Sequence, residues 1–385
     1  MRIINWIVFP FTVVIAILLL IAGQAPLVSP ATSTTIALLG LGFPILFLLN
    51  LLLIFYWAFQ LKWRTLIPVA ILLLNLGQAS LYLQINNQNK TQVTQDEVNS
   101  GDSISSEFSN FTQLKLVTYN AGLFGFFQDN WNLDSVVSVL NAQQPDVVCL
   151  QEVYSKLGSM AALETELSVR LNLPYSQYHL LNRNRPYGML ILSKFPIKKW
   201  QPIRFVGKTG NTAMWVDIQL KQTNAETGEK RKRMIRLYNL HLQSFRFGKK
   251  DYAYIEKQGQ EDNGDLDIPG SMGILDRLRK GYEKRSEQVA MLKEEFGKLD
   301  HAKIVCGDLN DVPVSYSYRE LSKGMKDAFV EAGWGLETTY KGKFPSFRID
   351  YIFCDGGLDV IDYESFSDVP SDHKMVLSVL RIPWE

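Results

Sequence analysis

The sequence predicts an α/β protein in which one large domain of stacked β-sheets covered by helices follows three membrane-spanning helices. Three observations carry the prediction. Residues 1–85 are apolar runs whose only charged side chains are Arg2, Lys62 and Arg64. From about Gln113 onward, short apolar or alternating runs rich in β-formers are interspersed with segments of helical periodicity. Polar residues with chemical potential fall at or just after the ends of those runs, where α/β folds place their sites.

The N-terminal runs lie at about Ile3–Gly23, Thr35–Gln60 and Leu66–Ile85, each near the roughly 20 residues a helix needs to cross a bilayer. A cleaved leader also shows a basic start, an apolar core and small residues such as Ala22, Gly23 and Ala25. Two further runs behind the first favour a span. Lys62-Trp63-Arg64 is the basic turn between runs, and the positive-inside bias holds it and the Arg2 end in the cytoplasm. The large domain is then expected on the periplasmic or external side of an inner membrane. Gly40 and Gly42 suggest close helix packing. Residues 86–112 are rich in Asn, Gln, Ser and Thr and read as a polar linker.

Residues 113–385 suffice for one large α/β domain with a substantial core. Three of the chain's 40 Lys and Arg lie in the apolar front, so 37 remain against 39 Asp and Glu. Nucleic-acid binders concentrate Lys and Arg on one surface, and near-neutrality weighs against DNA or RNA as the main substrate. Cys149, Cys306 and Cys354 sit in apolar runs without CxxC spacing, which reads as buried free thiols. Strands are expected at Leu114–Tyr119, Asp146–Leu150, Gly188–Leu192, Ala213–Leu220, Met234–Leu240, Lys303–Cys306, Ile349–Cys354 and Met375–Leu380. Helices are expected at Leu133–Gln143, Ser159–Leu171 and Gly273–Leu299.

Six stations stand at the strand ends: Asn120; Glu152; His241; Asp308 with Asn310; Asp350; and Asp372 with His373. Each alone has an ordinary explanation as a turn residue, cap, surface ion pair or structural histidine. Their joint occurrence is how a hydrolytic metal site is assembled. Glu152 closes DVVCLQE, and a carboxylate there is costly to bury without a partner; a hard cation such as Mg²⁺ supplies one.

These residues resemble the endonuclease/exonuclease/phosphatase superfamily, which includes deoxyribonuclease-I-like nucleases, neutral sphingomyelinases and inositol polyphosphate phosphatases. The carriers are TYNAG, LQEVY, GMLILSKFPI, LHLQS, GDLND, RIDYIF and SDH, spanning about Leu114 to Leu380. The resemblance implies a four-layer α/β sandwich with its site in a cleft at the top of two sheets. It implies Glu152 as the principal ligand of Mg²⁺, or of Mn²⁺ in its place, assisted by Asn120 and Asp372. His373, paired with Asp350, would polarise the attacking water or bind the phosphate. Asp308 would orient that water and Asn310 would contact the phosphate. His241 would bind a phosphate oxygen or assist the leaving group, and the formal base stays open.

Two departures stand out. Abasic-site endonucleases of the family carry a carboxylate where this chain has Gly122. A long segment, Phe245–Tyr282, is inserted before the helix carrying Arg285, and reads either as a flap over the cleft or as a surface loop; Arg285 itself reads as solvated, with a reach into the site as the alternative. Substrate discrimination is expected in Phe245–Tyr282 and Phe124–Asn132. The favoured expectation is a membrane-tethered, Mg²⁺-dependent phosphodiesterase or phosphatase acting on a phosphoester of the bilayer, such as a lipid head group. A membrane-attached nuclease and a non-catalytic component of a membrane complex are the alternatives.

Overall fold

A computed structural model of the chain describes residues 2–86, 111–128, 131–182, 187–207, 209–223, 227, 229–245, 268–299, 301–342 and 346–384. Most of the expected linker 86–112 and the middle of the inserted segment Phe245–Tyr282 lie outside the described residues. The chain divides into two compact units. One comprises 1–83, 243–293 and 311–323; the other comprises 84–242, 294–310 and 324–385.

In the first unit, α1 (Arg2–Ala22), α2 (Thr34–Leu41), α3 (Phe43–Ala58) and α4 (Leu66–Leu74) form the front of the chain. Of the three expected spans, only the first is one unbroken helix long enough to cross a bilayer, together with the turn that follows it. The second is bent by 60° between α2 and α3, because Pro44 lacks the N–H that would carry the helix through Gly42. The third stops at Asn75, whose Nδ2 donates to Ile71 O at 2.8 Å. That leaves α4 about 14 Å long, roughly half of a bilayer core. Apolar length alone does not register these breaks.

Buried hydrogen bonds tie polar groups inside this unit: Trp57 Nε1 donates to Thr12 Oγ1 (2.9 Å) and the fully buried Asn50 donates its Nδ2 to Pro68 O (2.8 Å). Leu19, Ala22, Ala25 and Phe43 pack with Val314 in one apolar cluster. The unit also holds most of the helix Ile268–Phe296. Arg285, expected to be solvated, is fully buried on it. Its Nε lies 3.2 Å from Asp311 Oδ2, its Nη1 donates to Gln243 O at 2.7 Å, and its guanidinium lies over the Phe245 and Tyr282 rings. The pairing with Asp311 compensates the buried charge, and it was invisible in a helix whose neighbouring side chains are mostly charged.

The second unit holds two mixed six-stranded sheets flanked by helices. The strands are β1 (Phe111–Asn120), β2 (Val147–Tyr154), β3 (Tyr175–Asn182), β4 (Tyr187–Ser193), β5 (Ile197–Ile203), β6 (Thr212–Thr223), β7 (Lys230–His241), β8 (Lys303–Asp308), β9 (Met325–Asp327), β10 (Asp350–Asp355), β11 (Asp359–Phe366) and β12 (Met375–Pro383). One sheet has the order β11-β12-β1-β2-β4-β3 and the other β9-β10-β8-β7-β6-β5. All eight expected strands are present. The edge strands β3, β5, β9 and β11 were not expected, since a sheet edge tolerates polar residues, short length and proline, as in IKKWQPI.

The period of two sorts the side chains. Leu114, Leu116, Val147, Cys149, Met189 and Ile191 meet Met214, Val216, Ile235, Leu237, Ile304 and Cys306 between the sheets. On the outer face, Val117, Tyr119, Val148 and Leu150 pack against the helices Leu133–Gln143 and Met160–Leu171. The three cysteines are buried and free, as expected. One polar tie crosses the core: Gln151 Nε2 donates to Asn239 Oδ1 (2.6 Å), and Asn239 Nδ2 to Leu150 O (3.1 Å). The parallel pairs β1–β2 and β7–β8 end at one rim of the sandwich, and β10 and β12, antiparallel to their neighbours, begin there.

Candidate active site

All eight expected site residues lie at that rim, within the second unit. Strand register explains it: His241 is opposite Asp308, Asp308 is opposite Asp350, and Asn120 is opposite Gln151. Residues from the two sheets then interlock. Asn120 Nδ2 donates to Asp308 Oδ2 at 3.0 Å, and His241 Nε2 lies 3.3 Å from Glu152 Oε1 and 3.8 Å from Asp308 Oδ2.

His373 and Asp350 form a dyad, with Nδ1 2.9 Å from Oδ2 and the His373 Nε2 3.8 Å from Asp308 Oδ2. The support beneath it is specific. Thr339 Oγ1 accepts from the backbone N–H groups of Ile349 and Asp350, both at 3.0 Å. Ser371 Oγ accepts from His373 N (3.1 Å) and donates to Asn120 O (2.8 Å). Asn310 holds φ +51° and Glu152 φ +46°, uncommon for non-glycine residues. Both are pinned: Asn310 N donates to Asp308 Oδ1 (2.7 Å) and its Nδ2 to Leu242 O (3.0 Å), while Glu152 sits at a register shift between β2 and β4.

The electrostatics follow from crowding carboxylates in a buried rim. Burial raises the Asp308 carboxyl to about 6, with the Asp350 charge adding to it. Burial by itself would lower His373, but the Asp350 and Asp308 charges outweigh it and hold the imidazole up at about 10. His241 is lowered, chiefly by burial, and so is a neutral imidazole at pH 7. Glu152 is raised by burial, against the pull of His373 and with a further push from Asp372.

Asp308, Asp350 and His373 offer ligand atoms that all lie within 4.8 Å of one another, so this group could hold a metal ion. The set differs from the expected Asn120, Glu152 and Asp372. The surroundings fit a divalent cation: Asp350 Oδ1 is buried with no partner among the described residues, and Glu152 feels the repulsion of Asp372 and Asp350. An oxygen-rich donor set suits hard cations of the Mg²⁺ and Mn²⁺ type.

Gly122 has φ +49°, and a Cβ there would lie 2.8 Å from Ser371 Oγ and 3.3 Å from Asp372 Oδ1. A side chain there would crowd the Ser371 hydroxyl that supports His373. Sequence reasoning missed Asn211, whose Nδ2 lies 3.0 Å from His241 Nε2 and donates to Leu242 O at 2.8 Å. In GKTGNTAM it reads as an ordinary turn residue. It also missed Asn239 and Gln151, which tie the two sheets below the rim.

Two mixed sheets flanked by helices, with a buried carboxylate, amide and imidazole cluster at one rim, define an α/β protein built for hydrolytic chemistry. The chain belongs to the Endonuclease/Exonuclease/phosphatase family, whose model matches residues 130–373; members of that family act on phosphoester bonds. Residues 5–82 match a domain of unknown function (DUF8431). Comparison with the curated proteins gives no match. Among solved structures, that of ANGEL2, a 2′,3′-cyclic phosphatase, in complex with adenosine-2′,3′-vanadate, is similar at TM-score 0.50 and 15% identity, covering 72% of this chain and 97% of that one. An endonuclease/exonuclease/phosphatase from Beutenbergia cavernae is similar at TM-score 0.48 and 18% identity, covering 70% and 72%. One from Bacteroides vulgatus gives 0.47 and 17%, covering 70% and 99%.

Proposed function

We propose that this chain is a membrane-tethered, Mg²⁺-dependent phosphoester hydrolase, a phosphodiesterase or phosphatase acting on a lipid head group. The observation that carries the reading is the His373–Asp350 dyad facing Asp308 within the ring formed by Asn120, Glu152, His241 and Asn310. Glu152, Asn120 and Asp372, with the buried Asp308, Asp350 and His373 group beside them, would hold a Mg²⁺ ion, which would supply charge neutralisation at the phosphate oxygens. Asp350 fixes the orientation of the His373 ring, so that Nε2 is presented to the phosphate or to the attacking water. Asp308 orients that water, while the amides of Asn310 and Asn120 and the neutral His241 stabilise charge on the phosphate oxygens.

Tethering rests on the N-terminal helices, which expose Ile3, Trp6, Ile7, Leu48, Leu52, Phe55, Leu73 and Leu74. So many exposed apolar side chains on contiguous helices suit a lipid environment. In this reading residues 1–85 are the anchor, 86–112 the linker and 113–385 the catalytic domain, placed on the external face of an inner membrane. Tethering raises the local concentration of a bilayer substrate.

The test is hydrolysis by detergent-purified protein of a panel of phospholipids, sphingolipids, inositol phosphates and DNA, with Mg²⁺ or EDTA. Metal-dependent release of a lipid head group that is lost in Glu152→Gln and His373→Ala supports the reading. Cleavage of DNA alone replaces the lipid substrate with nucleic acid, and silence across the panel overturns catalysis.

A further inference from the structure

A cavity of about 350 Å³ opens in the second unit, lined among others by His179, Arg204, Phe205, Thr209, Asn211 and Thr212. That size falls within the range of small-ligand sites, about 300–1,000 Å³. It lies at the seam where β3, the edge of one sheet, meets β5, the edge of the other. Register places it at the catalytic rim. Thr212 is opposite His241, and Arg204 directly follows Ile203, which is opposite Ala213. On the other sheet, Val153 is opposite Gly188, Gly188 is opposite Leu180, and His179 precedes Leu180. His179 is thus level with Glu152 and two strands away, about 10 Å by strand spacing.

Asn211 joins the two regions, since it lines the cavity and its Nδ2 lies 3.0 Å from His241 Nε2. His179 is the informative residue. It is only 8% exposed and it lines the cavity, so an imidazole able to donate a hydrogen bond stands in the wall of the pocket. The charge that acts on it is that of Arg204, a cation on an exposed position that lines the same cavity. Burial, and then Arg204, depress the His179 pKa below the ordinary imidazole range. An anion between the two relieves both, accepting hydrogen bonds from guanidinium and imidazole together.

We propose that this cavity is a subsite for a second phosphate of the substrate, bound beside the scissile one by Arg204, His179 and Thr209. The proposal rests on the hydrolase reading and names a substrate class for it: compounds with two phosphate groups about one site-width apart. Arg204 and His179 are positioning residues in this scheme, because they hold a group that does not react. The second phosphate can belong to a lipid head group or to a soluble compound, and the recognition chemistry is the same.

Two measurements on the full-length protein in detergent test it. The chain has four histidines, so histidine-ring NMR signals are assignable by substitution. On titration with inorganic phosphate the His179 signal is expected to move, to move far less in Arg204→Gln, and to recover in Arg204→Lys. If only the His241 or His373 signals move, phosphate lodges at the catalytic rim alone and the subsite is overturned. The second measurement compares KM for matched pairs: a nucleoside bisphosphate against its monophosphate in solution, and a phosphatidylinositol bisphosphate against its monophosphate in phosphatidylcholine vesicles. Loss of one charge-assisted contact in Arg204→Gln is expected to worsen the KM of the doubly phosphorylated partner about tenfold relative to the single one. The vesicle pair or the soluble pair, whichever shows this, identifies the source. A phosphate-induced signal change with an unaltered KM ratio is an adventitious ion only, and overturns the proposal. If no substrate is cleaved, the hydrolase reading fails, and an unmoved His179 signal overturns the subsite independently of that.

Discussion

Asp350 is the residue on which the dyad turns: one oxygen meets His373 Nδ1 at 2.9 Å and the other is buried without a partner among the described residues. Asp350→Asn keeps the shape but removes the charge that fixes the imidazole, and phosphoesterase activity is expected to fall about 10²- to 10⁴-fold in kcat. Retained kcat would remove His373 from the mechanism. The raised His373 also makes a pH prediction. A histidine held above its unfolded value contributes stability that is fully present below the unfolded pKa, near 6.5, and that is lost as pH climbs through about 10. In EDTA, the melting temperature should therefore decline across that window, and His373→Gln should flatten the decline; a parallel slope in the variant would contradict the assignment. At this scale Glu152, Asp308, Asp350 and His373 were legible, because each is a polar residue closing or opening an apolar strand. Asn211 was not, since its value lies in a contact with His241, 30 residues away.

At the scale of elements, the rim holds together because the two sheets are tied below it. Asn239 and Gln151 are fully buried and bonded to one another. Asn239→Ala removes the donor to the Leu150 carbonyl and a partner of the buried Gln151, and should cost roughly 1–3 kcal/mol of stability by chemical denaturation. An unchanged midpoint would show the tie to be redundant. The apolar run Leu114–Tyr119 made β1 legible as a strand, and the structure buries it on both faces. It could not reveal that β5 and β3 are edge strands, whose polar residues are tolerated only because no further strand pairs with them. The bend at Gly42 and the stop at Asn75 escaped for a similar reason: helix continuity depends on local capping and proline geometry that a count of apolar residues ignores.

For the whole molecule, the first unit brings the N-terminal helices together with residues 243–293 and 311–323. Val314 is fully buried in a cluster with Leu19, Ala22, Ala25 and Phe43, and a Cβ on Gly40 would lie 2.6 Å from its carbonyl oxygen. Removing residues 1–83 uncovers that cluster, and the shortened chain is expected to aggregate or melt lower than the full-length protein, by size-exclusion chromatography and thermal unfolding. Equal behaviour would show that residues 311–323 do not need the helices. The sequence by itself determined the apolar front, the eight inner strands, the free buried thiols and the residues at the strand ends, because apolar periodicity and strand-end polarity are local properties of the chain. The tertiary structure alone decided which of those residues meet. Asn120 reaches Asp308 across 188 residues, Ser371 reaches the carbonyl of Asn120 across 251, and Arg285 is buried by its pairing with Asp311. Such contacts depend on sheet register and packing between distant segments, and no local pattern encodes them.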